Sequence, residues 1–374
     1  MKIKVFKSVR WKKIYAYIAN KERKTKKKIE LIFNENGYAN LDFNLAKDYL
    51  VWFTNKKKRT EKIIISEAID SLKIRYNRKT HKYDCLLLVD NCDSYGLVKT
   101  FSLKDEKNLI ISKNNEKNIH VLLPNNYDSS KKYGLIIMID GQNMYDTSKV
   151  GRYTKKNDPY GSWQIETTLN KIANIYHEEY IVCGIETTGI ERMFELMPKY
   201  FGEFKNDCNL NSNLSKVAES GLLEKTGLFI MNRVIPFMKE KYSISDNIGI
   251  GGSSAGGNAA FHIGLNYYDV FKFILSFSPI FGCYEDEYLI DFYNKINFNK
   301  NKDNLPYFFF NVGKKGWLER CLWQENCNSL DLMVKCGYPE DKLFGYTEIS
   351  AEHNEIMWRY AFNYFMNIYH KEKK

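Results

Sequence analysis

The residues that most clearly spell chemistry are Gly251-Gly252-Ser253-Ser254-Ala255-Gly256-Gly257. Only one frame satisfies Gly-x-Ser-x-Gly: Gly252, Ser254 and Gly256. That pattern suits a serine on a tight strand-to-helix turn, where small neighbours on both sides tolerate a strained backbone and leave the hydroxyl projecting. A helix beginning just after the serine would offer the N–H of Ala255 to a developing oxyanion. The chemistry is nucleophilic attack on a carbonyl. A glycine-rich phosphate cradle is the competing reading, but the lysine of a P-loop is missing and the dinucleotide-binding glycine spacing is imperfect.

A serine hydroxyl needs a base, and the chain holds six histidines. In the α/β-hydrolase order the base follows the nucleophile, near the end of the chain, beyond the last strand. His353, in Ser350-Ala351-Glu352-His353-Asn354-Glu355, follows the strand-like Tyr346–Ile349 and precedes a helix expected from about Glu355. His262 lies more than two turns along the helix after Ser254, and His370 sits in the charged tail. His81, His120 and His177 precede the serine.

These residues need a scaffold. From about Ile110, apolar runs alternate with helical patterns. Asn118–Leu123, Gly134–Asp140, Tyr180–Gly184, Asn247–Gly251, Phe271–Ser276 and Tyr307–Val312 read as buried strands. Trp163–Tyr176, Gly221–Tyr242 and Asn258–Tyr267 read as helices. Buried strands alternating with helices predict a mostly parallel sheet covered on both faces. Before it, Lys12–Ile18, Tyr49–Phe53, Lys62–Ser66, Leu72–Tyr76, Cys85–Val89 and Leu97–Phe101 read as short strands, with turns at Asn36-Gly37 and Asp93–Gly96. That spacing predicts a small β-sandwich. The expected division is a β-sandwich over 1–108 and an α/β domain over 109–374.

Composition narrows the class. Apolar residues make up 44% and charged residues 27% of 374, enough to bury a large core. No run approaches the roughly 18 apolar residues of a membrane helix, and the start lacks the continuous apolar stretch of an export signal. The formal charge of +11 comes mostly from lysines dispersed along the chain, so no nucleic-acid partner is expected. The charge would steer an anionic or catecholate-like substrate, weakly once salt is present. The eight cysteines show no paired spacing such as Cys-x-x-Cys. The expectation is reduced thiols in a cytoplasmic protein, with no metal and no membrane partner.

The segments NIHVLLPNNYDSSKKYGLIIMIDGQNMYD, GSWQIETTLNKI, IVCGIETTGIERMFE, GIGGSSAGG, FKFILSFSPIFG and EHNEIMWRYAF occur in one order. In that order the chain resembles an esterase family of α/β-hydrolases, the group around enterochelin esterases, esterase D-like enzymes and feruloyl esterase domains, over about Ile110–Tyr369. The resemblance implies serine hydrolase chemistry on esters without a cofactor. It implies Ser254 as nucleophile, His353 as general base and the backbone N–H groups of Gln142 and Ala255 as oxyanion donors. It also places Asn143, Trp163 and Arg192 near the substrate cleft. The family's acid usually follows the glycine ending the Phe308–Val312 strand by about three residues, where this chain has Gly316. Glu319 is the nearest carboxylate, Glu325 and Asp331 lie further along, and a Ser–His dyad is the alternative.

At the N-terminus, Trp11–Ile18 and Tyr49–Asn55 resemble starch-binding carbohydrate modules, which implies a glycan platform of Trp11, Tyr15 and Trp52 unless these rings pack in the core. A substrate that is an acylated carbohydrate or a siderophore-like ester follows from the two resemblances together. A non-catalytic glycan-binding or interaction protein on a degenerate hydrolase scaffold is the rival from another class, and an acyltransferase is the rival within enzymes.

Overall fold

The structure is a computed structural model. It describes residues 2–7, 9–20, 26–34, 38–42, 49–60, 62–65, 71–77, 82–88, 98–104, 116–145, 162–187, 191–199, 220–281, 284–349 and 351–372. The turns expected at Asn36-Gly37 and Asp93–Gly96 lie outside these residues. The chain divides into two compact units, Met1–Cys92 and Asp93–Lys374.

The first unit has two four-stranded sheets, in the orders β4-β1-β7-β8 and β3-β2-β5-β6. Their strands are β1 (Lys2–Lys7), β2 (Ile14–Asn20), β3 (Lys26–Leu31), β4 (Tyr38–Asp42), β5 (Tyr49–Thr54), β6 (Ile63–Ile65), β7 (Ser71–Asn77) and β8 (Lys82–Leu88). All pairs are antiparallel except β1 with β7. Ile14, Ala16 and Ile18 are buried with Val51 and Phe53 on one face; on the other, Tyr17 is half-buried and Tyr15 is buried as well. Strands β1, β3 and β4 escape the sequence reading. In β3 a lysine run hides the pattern, because an outward-facing strand position accepts lysine as readily as a loop does.

The second unit begins at Asp93. It includes β9 (Lys99–Lys104), which pairs antiparallel with β10 (Glu116–Leu122) and so forms one edge of the larger sheet. That sheet has eight strands in the order β16-β15-β14-β13-β11-β12-β10-β9. The others are β11 (Tyr133–Ile139), β12 (Tyr180–Ile185), β13 (Ile244–Ser253), β14 (Phe271–Phe277), β15 (Tyr307–Gly313) and β16 (Leu343–Glu348). From β12 through β11 to β16 all neighbours are parallel. The expected α/β-hydrolase sheet is present.

Helices cover both faces. They are α1 (Ile165–Tyr176), α2 (Glu191–Leu196), α3 (Leu223–Phe229), α4 (Ile235–Lys241), α5 (Ala255–Asn266), α6 (Asp286–Ile296), α7 (Trp317–Lys335) and α8 (Glu355–Glu372). Along β11, Ile136 and Met138 pack with Leu169 of α1 and Phe362 and Phe365 of α8. Leu135, Ile137 and Ile139 pack on the other face with Phe229, Ala259 and Phe261. A central strand buried on both sides must be apolar throughout, which is why these strands read as unbroken runs. The long helical pattern over Gly221–Tyr242 is realised as α3, a π turn at Ile230–Val234, and α4. Pro236 lacks an N–H and crowds the carbonyl four residues back, and the widened turn accommodates it.

One expectation is corrected. Cys321 is disulfide-bonded, whereas Cys183, Cys327 and Cys336 are free. A spacing rule finds only cysteines close in sequence, and a folded chain can join distant ones. Among the described residues no helix is long and apolar enough to cross a membrane, and no cluster of His, Cys, Asp and Glu could hold a metal ion.

Candidate active site

Parallel strands run in one direction, so the loops after β11, β13, β14, β15 and β16 gather at one edge of the sheet. Ser254 stands there alone between the end of β13 and the start of α5, with φ 58° and ψ −125°. A non-glycine residue held in such a conformation costs on the order of 1–3 kcal/mol. Two backbone hydrogen bonds hold it: Ser254 N–H donates to the Phe277 carbonyl at 2.8 Å, and Asn258 N–H donates to the Ser254 carbonyl at 3.1 Å. The flanking glycines are required by contact. A Cβ on Gly252 would lie 2.4 Å from the Gly256 carbonyl oxygen, and one on Gly256 would lie 2.9 Å from Asp140 Oδ2. Ser254 is half-buried between the buried Ser253 and Ala255.

Ala255 is the first residue of α5, so its N–H has no carbonyl one turn back within the helix. The second expected donor, Gln142, is the middle residue of a short 3₁₀ turn, Gly141–Asn143, after β11. Its side chain is committed elsewhere: Nε2 donates to the Thr187 carbonyl at 2.8 Å, and Oε1 accepts the Thr187 N–H at 3.2 Å. That pair pins the turn to the segment after β12. Asn143 is half-buried, and its carbonyl accepts the Trp163 N–H at 3.0 Å.

Arg192 and Trp163, expected near the substrate cleft, each make contacts within the protein. The Arg192 Nε and Nη2 donate to Asp140 Oδ1 and Oδ2 at 2.7 and 2.6 Å, and the Thr187 hydroxyl also donates to Asp140 Oδ1. Burial works against the guanidinium charge, but Asp140 outweighs it and the Arg192 pKa is raised. This bidentate pair braces the turn after β11, and the carboxylate lies against Gly256. Trp163 is fully buried, with ring centroids 4.8 Å from Phe277 and 5.9 Å from Trp358. The indole is packed between two aromatic rings, with its Nε1 lacking a hydrogen-bond partner.

His353 lies on the loop after β16, immediately before α8. Its Nδ1 is 2.6 Å from Glu319 Oε1, and the Glu319 side chain is fully buried while that of His353 is 17% exposed. The other carboxylate oxygen, Oε2, accepts the Gly313 N–H at 2.5 Å. Glu319 sits in the first turn of α7, which carries it back over the strand end it follows. A short Lys314–Gly316 loop and that helical turn account for its distance from Gly313. An ionised carboxylate can only accept, so Nδ1 is the nitrogen that carries a proton in this contact. Glu325 and Asp331 lie further down the same helix.

Three of the other described histidines are engaged elsewhere. His262 is buried among Phe292, Tyr284 and Tyr288. His370 Nε2 lies 3.1 Å from the Tyr180 hydroxyl, and His120 Nδ1 lies 2.9 Å from the Thr100 hydroxyl. His177 follows α1, and His81 lies outside the described residues.

The sequence reading missed Trp358 and Ser278. The Trp358 Nε1–H donates to Ser278 Oγ at 3.0 Å, and its ring meets His353 edge-on, 5.0 Å between centroids and 87° between planes. Asp140 carried a signal only as part of the Asp-Gly-Gln-Asn stretch. In the first unit the expected platform does not assemble. Trp11 and Tyr15 are buried, and Trp11 packs 4.8 Å from Tyr83. Trp52 instead stacks on Tyr17 at 5.3 Å and 7°, with Lys26 Nζ 4.7 and 5.0 Å from the two ring centroids.

The chain is similar to an IroE-like serine hydrolase from Shewanella oneidensis at 15% identity and TM-score 0.52, covering 74% of this chain and 81% of that one. It is similar to the siderophore hydrolase EstA from Aspergillus nidulans at 14% identity and TM-score 0.54, covering 74% and 95%. A ferulic acid esterase aligns at 14% identity and TM-score 0.51, covering 74% and 99%. These likenesses share the fold. No curated protein matches the chain. The family Esterase, described as Putative esterase, matches residues 112–331, more than half of the chain and the whole stretch from β10 into α7. The chain therefore belongs to this esterase family and is a carboxylic ester hydrolase.

Proposed function

We propose that Ser254, His353 and Glu319 are the catalytic triad of a serine esterase that works through an acyl-enzyme. The observation that carries this reading is the buried Glu319 carboxylate, 2.6 Å from His353 Nδ1 and held on its other oxygen by the Gly313 amide. His353 Nε2 removes the Ser254 proton as Oγ attacks the ester carbonyl. The N–H groups of Ala255 and Gln142 receive the negative charge on the carbonyl oxygen. Collapse of the tetrahedral intermediate expels the alcohol, protonated by the imidazolium. Water, deprotonated by the same imidazole, then attacks the acyl-Ser254 ester, and the acid leaves.

The substrate class follows from the fold relatives, two of which are described as a siderophore hydrolase and a ferulic acid esterase. The one name speaks of a siderophore and the other of ferulic acid esters, and a siderophore-like ester or an acylated carbohydrate is the substrate proposed here. The net charge of +11 favours an anionic one. Any glycan contact by the first unit would fall to Tyr17 and Trp52, although their stacked faces carry lysine ammonium groups rather than open surface.

The test is hydrolysis of a panel of p-nitrophenyl esters, with feruloyl and siderophore-like esters beside it, by wild type, Ser254→Ala and His353→Ala. Activity is expected to vanish in both variants, and a fluorophosphonate should label wild type at Ser254. Wild-type turnover no faster than that of Ser254→Ala on every ester, with no labelling, would sink the proposal and favour a non-catalytic glycan-binding or interaction protein.

A further inference from the structure

Ser254 and His353 stand on separate loops, and their alignment depends on how those loops are tied together. Asn354, just after His353, accepts the N–H groups of Ile356 and Met357 on its side-chain oxygen at 3.1 and 3.4 Å. This cap makes the first turn of α8 rigid immediately beside the histidine. Side chains on a helix lean toward its N-terminus, so the indole of Trp358 lies back over the cap and meets the imidazole at 87°. Its far side reaches Ser278 through the 3.0 Å Nε1–H···Oγ bond.

Ser278 is fully buried and has φ 42°, a conformation that serine rarely adopts. It is held by its own N–H, which donates to the Asn311 carbonyl of β15 at 2.7 Å. The residue before it, Phe277, supplies the carbonyl that accepts the Ser254 N–H at 2.8 Å. One short path therefore runs from the base to the nucleophile: His353, Trp358, Ser278, Phe277, Ser254. No step of it passes through substrate.

We propose that Trp358 is a positioning residue, which sets the His353 imidazole plane with its ring and registers the histidine loop against the nucleophile elbow through its hydrogen bond to Ser278. This rests on the triad proposed above. Loss of the indole N–H loosens the register but keeps the ring contact. Loss of the ring releases the imidazole as well.

The experiment is a kinetic series on the full chain: wild type, Trp358→Phe, Trp358→Leu, Ser278→Ala and the Trp358→Phe/Ser278→Ala double variant, with Ser254→Ala as reference. Trp358→Phe and Ser278→Ala should each lower kcat about fivefold with KM unchanged. The double variant should lose no more than either single one, because both remove the same bond. Trp358→Leu should fall on the order of a hundredfold as the base loses its alignment. Thermal denaturation of each variant is read in parallel. Wild-type kcat in Trp358→Leu beside a lowered Tm would make the residue merely structural and overturn the inference, as would single losses that multiply in the double variant. Ser254→Ala matching wild type would instead overturn the triad and this inference together.

Discussion

Glu319 Oε1 and His353 Nδ1 meet at 2.6 Å although the residues are 34 positions apart. One stands on the first turn of α7 and the other on the loop before α8, and only the adjacency of β15 and β16 brings them together. The buried carboxylate has its second oxygen on the Gly313 N–H, so it cannot swing away without leaving that amide unpaired.

Glu319→Gln tests what this contact does. The amide keeps the volume and can still accept from Gly313, but its NH₂ group donates to His353 and selects the tautomer that cannot act as base. A fall in kcat of roughly 10³–10⁴-fold is expected, with KM changed little. Turnover within threefold of wild type would instead support a Ser–His dyad.

Two glycines in different settings predict opposite signs. Gly252→Ala drives a Cβ to 2.4 Å from the Gly256 carbonyl oxygen, which should cost about 1–3 kcal/mol and abolish esterase activity. Gly227→Ala, in α3, meets only Tyr267 and Ile263 at 3.4 and 3.5 Å. It should stabilise the protein by about 0.5–1 kcal/mol. Urea unfolding of both variants checks the pair.

Arg192 separates bracing from binding. Arg192→Met leaves the Asp140 carboxylate buried without its partner, and a loss of about 3–5 kcal/mol is expected. KM for a neutral ester should not rise in whatever fraction remains folded. A large increase in KM with an unchanged Tm would return Arg192 to the substrate cleft.

His262 governs part of the acid stability. Burial pushes its pKa down from 6.5 to about 3, and its Nε2 has no hydrogen-bond partner. The unfolded chain takes up a proton near pH 6.5 while the folded one does not until about pH 3. The contribution is therefore complete above pH 6.5 and is lost as pH falls toward 3, with a slope approaching about 1.4 kcal/mol per pH unit. His262→Leu should remove one proton's worth of that slope, measured by denaturation at pH 4, 5, 6 and 7. An unchanged slope would show that His262 does not titrate with unfolding.

The elbow, its strand and its helix were legible in the sequence because each depends on neighbours. Gly252 and Gly256 are small because the backbone closes on itself there, and β11 to β15 read as apolar runs because both faces are covered. His353 was legible through chain order. The first unit's strands were only partly visible, since β3 shows an outward row of lysines and β9 differs in no local respect from the strands before it. Its membership of the larger sheet is a matter of pairing with β10.

What the tertiary structure alone decided is the set of contacts between distant residues. It turned Arg192 onto Asp140, buried Trp163 and Trp11, and cross-linked Cys321. It also brought Glu319 to His353 and Trp358 to Ser278. The physical reason is one of range. Steric limits on φ and ψ, hydrophobic period and turn chemistry act over a few residues and leave their mark in the residue types. A hydrogen bond between side chains that are 34 or 80 positions apart leaves none, because many carboxylates and indoles could have served, and only strand order decides which of them meet.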